Sequence, residues 1–141
     1  MTALAVVAAQ TLWVSGPKDG DQVAGEAFTA GQMVYLSAAG TWLKAQCDGT
    51  AVEAGSLGIG MALFTADVAG ARGSIARPGA IVTVAASGLT VGIPYWIGNA
   101  AGALDPLADL GTTDKVTFAG QTRSATQFVI GYLYDSGCVL A

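Results

Sequence analysis

The sequence predicts an all-β domain, a small β-sandwich or barrel, on three observations. Short runs of strand-forming residues bounded by glycine recur along the 141 residues, helical spacing of apolar residues is scarce, and part of the pattern repeats. The length suits one domain. Ten strands are expected, at residues 11–15, 32–37, 41–46, 56–64, 73–77, 80–85, 94–97, 115–120, 127–134 and 138–140.

Turn signals separate several of these strands. "SAAGTW" around Gly40 is typical of a hairpin turn, and "RPGA" at 77–80 places a proline and a glycine where a tight turn needs them. "LDPLADLG" is the one helical signal. Asp105 suits an N-cap, Pro106 a first helical position and Gly111 a C-terminal cap, so we expect one short helical turn near residues 105–111.

A weak internal repeat indicates two β units. "FTAGQMVYL" at 28–36 aligns with "LTVGIPYWI" at 89–97, which pairs Gly31 with Gly92 and Tyr35 with Trp96. "LGIGMAL" near Gly60 is similar to "VIGYLY" near Gly131. We therefore expect an N-terminal arm or first strand over residues 1–22, and a single β domain over 23–141 with pseudo-repeats at about 23–64 and 80–134. Pro94 favours a strand start over a mid-sheet position.

The residue types argue against catalysis. Histidine is absent, which removes the commonest general base and metal ligand, and no hydrolase motif occurs. "KDGD" at 18–21 and "CDGT" at 47–50 are interpreted as Asp-Gly turns rather than calcium loops. Asp105, Asp109 and Asp114 are interpreted as capping and surface groups, and "GSLGIG" at 55–60 as a glycine-kinked strand. We predict no enzyme, with no catalytic, cofactor-binding or metal-binding residue.

Composition points to assembly instead. Only 11% of residues are charged, the net charge is −4, and the six cations form no basic run, so no nucleic-acid partner is expected. The uncharged stretch from residue 80 to 104 is long enough to span a bilayer, but glycines and Pro94 interrupt it as turns would, and no membrane segment is predicted.

Trp13, Trp42 and Trp96 are the candidate assembly contacts, because aromatic residues dominate cores and subunit interfaces. A sugar-binding face is the alternative for these tryptophans. Cys47 and Cys138 are expected to be free thiols, with a disulfide between them as the alternative.

The order of these pieces resembles the head decoration, or cement, proteins of tailed bacteriophages. The similarity runs from about Val23 to Tyr134, through "AGEAFTAGQMVYLSAAGTWLKA", "SLGIGMALFTADVAGARGSIARPGAIVTV" and "GLTVGIPYWIGNAAGALDPLADLGTTDKVTFAGQTRSATQFVIG". The resemblance implies a non-enzymatic virion protein on the outer capsid surface. Its implied partner is the major capsid protein, its implied role capsid stabilisation, and its implied oligomer a homotrimer. A tail, spike or fibre module that binds a host-surface glycan is the alternative.

One hypothesis concerns the uncharged N-terminal segment. Because residues 1–16 precede the repeated units, we expect them to form an arm across an adjacent subunit with Trp13 as its anchor. Unchanged capsid binding after deletion of residues 1–16 would contradict this arrangement.

Overall fold

The computed structural model describes residues 3–111 and 114–139, with side chains described as far as residue 133. The chain in this part is nearly all β. Its strands are β1 (Leu12–Ser15), β2 (Lys18–Val23), β3 (Met33–Leu36), β4 (Trp42–Lys44), β5 (Ile59–Ala62), β6 (Arg72–Ala76), β7 (Ile81–Thr83), β8 (Pro94–Ile97), β9 (Leu104–Asp105), β10 (Lys115–Thr122) and β11 (Gln127–Val139).

The strands form two antiparallel sheets that pack as a sandwich. A six-stranded sheet has the order β1-β7-β11-β10-β8-β9, and a five-stranded sheet has the order β2-β6-β5-β3-β4. The predicted all-β class is confirmed, and of its two forms the sandwich is the one observed.

Each sheet is built by one continuous half of the chain, and both halves use the same strand order. In the first unit, β2 to β6 assemble as β2-β6-β5-β3-β4; in the second, β7 to β11 assemble as β7-β11-β10-β8-β9. Strand β1 is added beside β7. The units are therefore longer than the pseudo-repeats that the sequence indicates, and each one supplies five neighbouring strands of its sheet.

The main core lies between the sheets. It joins alternate side chains of both layers, as expected where each strand turns one face inward. Its large members are Met33, Ile59 and Met61 from the five-stranded sheet and Val82, Tyr95, Phe128 and Ile130 from the six-stranded sheet.

Two expected turns are present. In the β3–β4 hairpin the Gly40 amide donates to the Ser37 carbonyl at 3.0 Å, and Gly40 has a φ of 82°, which a residue with a Cβ rarely adopts. At "RPGA" the Ala80 amide donates to the Arg77 carbonyl at 3.0 Å. Pro94 is the first residue of β8, ahead of the part that pairs with β9, as its missing N–H requires.

The interpretation of "KDGD" as a turn is wrong. Residues 18–21 lie in β2, which pairs with β6 and contains a bulge between Asp19 and Gln22. Asp21 takes a φ of 55° there. The local preference of this segment for a turn thus produces a bulge within a paired strand.

The helical segment is shorter than the expected capping pattern. A single 3₁₀ turn spans Leu107–Asp109, and Pro106 rather than Asp105 occupies its N-cap position. Asp105 instead belongs to β9, and its Oδ2 accepts the Asn99 amide at 3.2 Å. A second 3₁₀ turn, Ala8–Gln10, was not expected.

Of the two forms expected for residues 1–22, an arm or a first strand, residues 3–15 show the first strand: Leu4 is buried, and β1 pairs with β7. The last two predicted strands are one strand, because the backbone of β11 continues from Gln127 to Val139. Leu140 lies outside the described residues, and so does the Cys138 side chain, on which the disulfide alternative depends.

Candidate interaction surface

The outward side of the six-stranded sheet carries an uncharged, half-exposed patch. Inward side chains of β7, β8 and β11 belong to the main core, so the alternating residues point outward. Backbone pairing aligns Trp96 with Phe118 and Phe118 with Leu133 in one row, and Ile81 with Val129 in the next. We call these five residues the outer apolar face. Leu133 is its most exposed member, at 68%.

Aromatic packing organises the centre of this face. The rings of Trp96 and Phe118 meet edge to face with centroids 5.7 Å apart. Phe118 also lies over Gly131, where a Cβ would come within 2.7 Å of the ring. Beside it runs a shallow groove of about 260 Å³, lined by Phe118, Gly120, Gln121, Val129 and Gly131. Gly131 therefore creates the space in which the aromatic ring lies flat on the sheet.

The opposite side of the sandwich is different, because the five-stranded sheet covers its own outer side. Val34 and Ile75 point away from the main core and are buried under Phe28 and Ala66. Phe28 and Ala66 form a β-bridge, and Phe28 packs edge to face on Phe64 at 5.2 Å. The two outer sides of the molecule therefore contrast: one is sealed by the chain itself, and the other is open.

Hydrogen bonds fix which residues of the two units correspond. The amides of Gly31 and Gly92 donate to the carbonyls of Ala62 and Thr122, respectively. In turn, the amides of Ala62 and Thr122 donate to the carbonyls of Gln32 and Ile93. Ala62 thus corresponds to Thr122, and the residues that follow Gln32 and Ile93 correspond in turn.

Two pairs of corresponding residues face opposite ways, whereas Tyr35 and its counterpart Trp96 both pack partly against the main core. Val34 lies in the sealed outer cluster, whereas its counterpart Tyr95 lies in the main core. Met61 lies in the main core, whereas its counterpart Gln121 is exposed. In the first unit, the corresponding side of the sheet packs in the main core against the second unit. In the second unit, that side forms the outer apolar face. The described residues bury this packing face in one unit and leave it half-exposed in the other.

The three tryptophans do not come together. Trp42 is 1% exposed in the sealed cluster, its Nε1 donates to Gln22 Oε1 at 2.9 Å, and Arg77 lies 5.1 Å above its ring. Its place is therefore in the core, and it presents no surface for assembly. Trp96 is half-buried: it belongs to the outer apolar face and also packs partly against the main core.

Trp13 occupies a third place, at the edge of the six-stranded sheet. Its ring packs partly against the main core, and its Nε1 donates to the Gly16 carbonyl at 3.2 Å. The ammonium of Lys18 lies 4.1 Å from the ring centroid. Trp13 thus anchors β1 to its own domain.

The acidic residues make local structural contacts. Asp114 Oδ2 accepts the Gly111 amide at 2.6 Å, and Asp105 accepts the Asn99 amide. Arg77 pairs with Asp19 at 3.1 Å and Arg72 with Asp21 at 3.3 Å. Within residues 3–111 and 114–133, no group of three or more acidic or cysteine side chains is placed to hold a metal ion.

Cys47 is buried, and its Sγ–H donates to Asn99 Oδ1 at 3.3 Å. Burial, aided by the negative charge of Asp114, raises the pKa of this thiol to about 12. A nucleophilic cysteine needs the opposite shift, so this residue is a small apolar core group.

Comparisons with known proteins return no match among protein-family models, curated proteins or solved structures. The described part of the chain also contains no helix that is long and apolar enough to cross a membrane. Of the five residues of the outer apolar face, only Trp96 is a predicted contact. Ile81, Phe118, Val129 and Leu133 are not, although the alternation in "KVTFAGQT" and "QFVIGYLY" is a usable signal for the last three.

Proposed function

We propose that this protein is a capsid decoration protein of a tailed bacteriophage, which binds the major capsid protein through its outer apolar face and stabilises the shell. The observation that carries the proposal is the packing face on the second unit that the described residues leave half-exposed. A sheet face of this kind is normally covered, and large exposed apolar patches mark interaction sites. The sequence resemblance supplies the identity of the partner.

The character of the face suits a partner that is present in many copies. It carries no formal charge, so contact costs little charge desolvation, and its two rings supply packing energy. Many modest contacts around a shell give avidity without one strong site. The implied homotrimer would add to that avidity by presenting three such faces together.

Binding to assembled shells tests the proposal. We expect the purified protein to sediment with empty shells assembled from the major capsid protein of the genome that encodes it, in a fixed ratio to capsid subunits. Leu133→Lys should reduce the bound fraction at least tenfold. The matched control is Val68→Lys, because Val68 is 65% exposed on the sealed side of the sandwich. Equal binding of the two variants would contradict the proposed surface, and no binding of the wild type would contradict the proposed function.

The glycan-binding alternative rests on the groove beside Phe118. One aromatic ring and the Gln121 amide line it, which is the minimal chemistry for stacking and hydrogen bonding to a sugar. The separation of the three tryptophans removes the aromatic cluster that a sugar platform would use. A glycan array read in parallel with sedimentation decides between the two: selective glycan binding that is lost in Phe118→Ala, without shell binding, would favour the alternative.

A further inference from the structure

The two sheets have four edge strands, and two of these edges are covered by the chain itself. At β9, the Leu4 amide donates to the Leu104 carbonyl at 2.9 Å. At β4, the Gly25 amide donates to the Trp42 carbonyl at 2.7 Å, and the Lys44 amide donates to Glu26 Oε2 at 2.9 Å. Neither edge is free to accept a strand from another molecule.

The third edge, β2, is blunted by charge. Lys18, Asp19 and Asp21 lie within its six residues, and the bulge with the positive φ of Asp21 interrupts its regular backbone. Charged residues and bulges on an edge strand are the usual protection against edge-to-edge pairing.

The fourth edge, β1, carries no charged residue of its own, although the Lys18 ammonium of β2 lies 4.1 Å from the ring centroid of its Trp13. No described segment pairs with its outer side. Among the described strands it pairs with β7 alone. Leu12 is 66% exposed and Val14 is 41% exposed, and the first charged residue of the whole chain is Lys18. Trp13 pairs with Val82 and Ser15 pairs with Ile81, so Val14 is an extra residue that forms a bulge. Strand β1 therefore has a bulge, as β2 does, but lacks the charged residues of β2.

We propose that β1 is a self-association site, at which a second copy of this chain adds its own β1 antiparallel to form a two-fold dimer. Since the other three edges are covered or charged, an edge contact between copies must join β1 to β1. Such a contact is isologous and closes at two molecules. With Trp13 on the two-fold axis, Leu12 of one copy lies opposite Val14 of the other, and neither strand contains a charged residue.

This dimer is independent of the capsid-binding proposal, because it uses a sheet edge rather than the outer apolar face. It would join two six-stranded sheets into one continuous sheet, with both outer apolar faces on the same layer. If the chain also forms the trimer that the resemblance implies, a β1 pair would link trimers in twos. Assemblies with an even number of chains are therefore expected.

Molar mass in solution tests the inference. We expect sedimentation equilibrium of the wild type to give twice the 14.0 kDa of one chain, or a higher even multiple. The double variant Leu12→Lys/Val14→Lys should halve that mass, because like charges would oppose each other across the pair. Val68→Lys is the control and should leave the mass unchanged. A monomeric or trimeric wild type, or a double variant of unchanged mass, would overturn the inference.

A cross-link keeps the test decisive if the double variant fails to fold. In a Cys138→Ser background, the double variant Leu12→Cys/Val14→Cys places a cysteine opposite a cysteine across the pair and should give a disulfide-linked dimer on mild oxidation. Val68→Cys should stay monomeric on a denaturing gel. Equal cross-linking of both proteins, or none in the double variant, would rule out the β1 pair. Shell sedimentation of the same proteins reads the capsid proposal separately.

Discussion

Gly31 and Gly92 are structural counterparts, one in each unit of the sandwich. Gly31 has a φ of 91° and lies just before β3, and Gly92 has a φ of 80° and lies just before β8. Their amides donate to the carbonyls of Ala62 and Thr122 at 2.8 and 2.9 Å. The same turn thus starts the same strand in both sheets, but only Gly31 lies against another segment of the chain, at Val6.

This difference predicts unequal costs for the same substitution. Gly92→Ala should lower the free energy of unfolding by about 1–2 kcal/mol, because only the left-handed backbone is penalised and the space is open. Gly31→Ala should cost at least about 1 kcal/mol more, because its new methyl group would clash with Val6. Urea unfolding of both variants measures the difference. Equal costs would show that the N-terminal segment does not pack against Gly31.

Replacing Trp42 should destabilise the protein more than replacing Trp96. Trp42→Ala should lower the free energy of unfolding by about 3–5 kcal/mol, because it empties the sealed cluster and leaves the Gln22 amide without its donor. Trp96→Ala should cost about half as much, since this side chain is only half-buried. Chemical denaturation of the two variants checks the order, and a reversed order would contradict the assignment of Trp42 to the core.

Cys47 should be almost inert while the protein is folded. Its pKa is raised from the ordinary 9.0 to about 12, so the thiolate is scarce at pH 8. Alkylation followed by mass spectrometry of its peptide should be at least a hundredfold slower in native protein than in urea. Because the folded-state pKa lies above the unfolded one, the stability that this neutral thiol contributes is present below pH 9. It is lost as the pH rises from 9 towards 12. Fast native labelling would contradict the burial of Cys47.

Much of the architecture was predictable because its signals are local. Glycine spacing and alternation locate most strands, and the alignment of Gly31 with Gly92 identifies equivalent turns. The strand β2 was missed because Asp-Gly is a turn signal unless a neighbouring strand, here β6, pairs with it. The two-residue β9 was missed because Asp105 and Pro106 also fit the start of a helix.

The candidate surface was less predictable, because it depends on which face of each unit is covered. Trp42 and Trp96 both lie in short apolar strands, and nothing local distinguishes a sealed side from an open one. The distinction arises only when Phe28 and Ala66 fold back over the first unit. Sequence equivalence of the repeats also does not reveal orientation: Val34 points away from the main core, whereas its counterpart Tyr95 points into it.

Charge placed at different points on the outer apolar face should show how the capsid contact is distributed. Val129→Asp and Leu133→Lys should each weaken shell binding, and Gln121→Ala, at the rim of the groove, should change it less than threefold. Circular dichroism melts confirm that the variants fold. Binding isotherms on empty shells give the ranking, and a larger loss for Gln121→Ala would argue for the groove rather than the apolar residues as the contact.

The most direct measurement is the stability of shells heated with and without the protein. Shells saturated with wild-type protein should release their contents at a higher temperature than bare shells. Leu133→Lys should remove that gain and Val68→Lys should retain it. If bare and saturated shells fail at the same temperature, the protein does not stabilise capsids and the central claim is wrong.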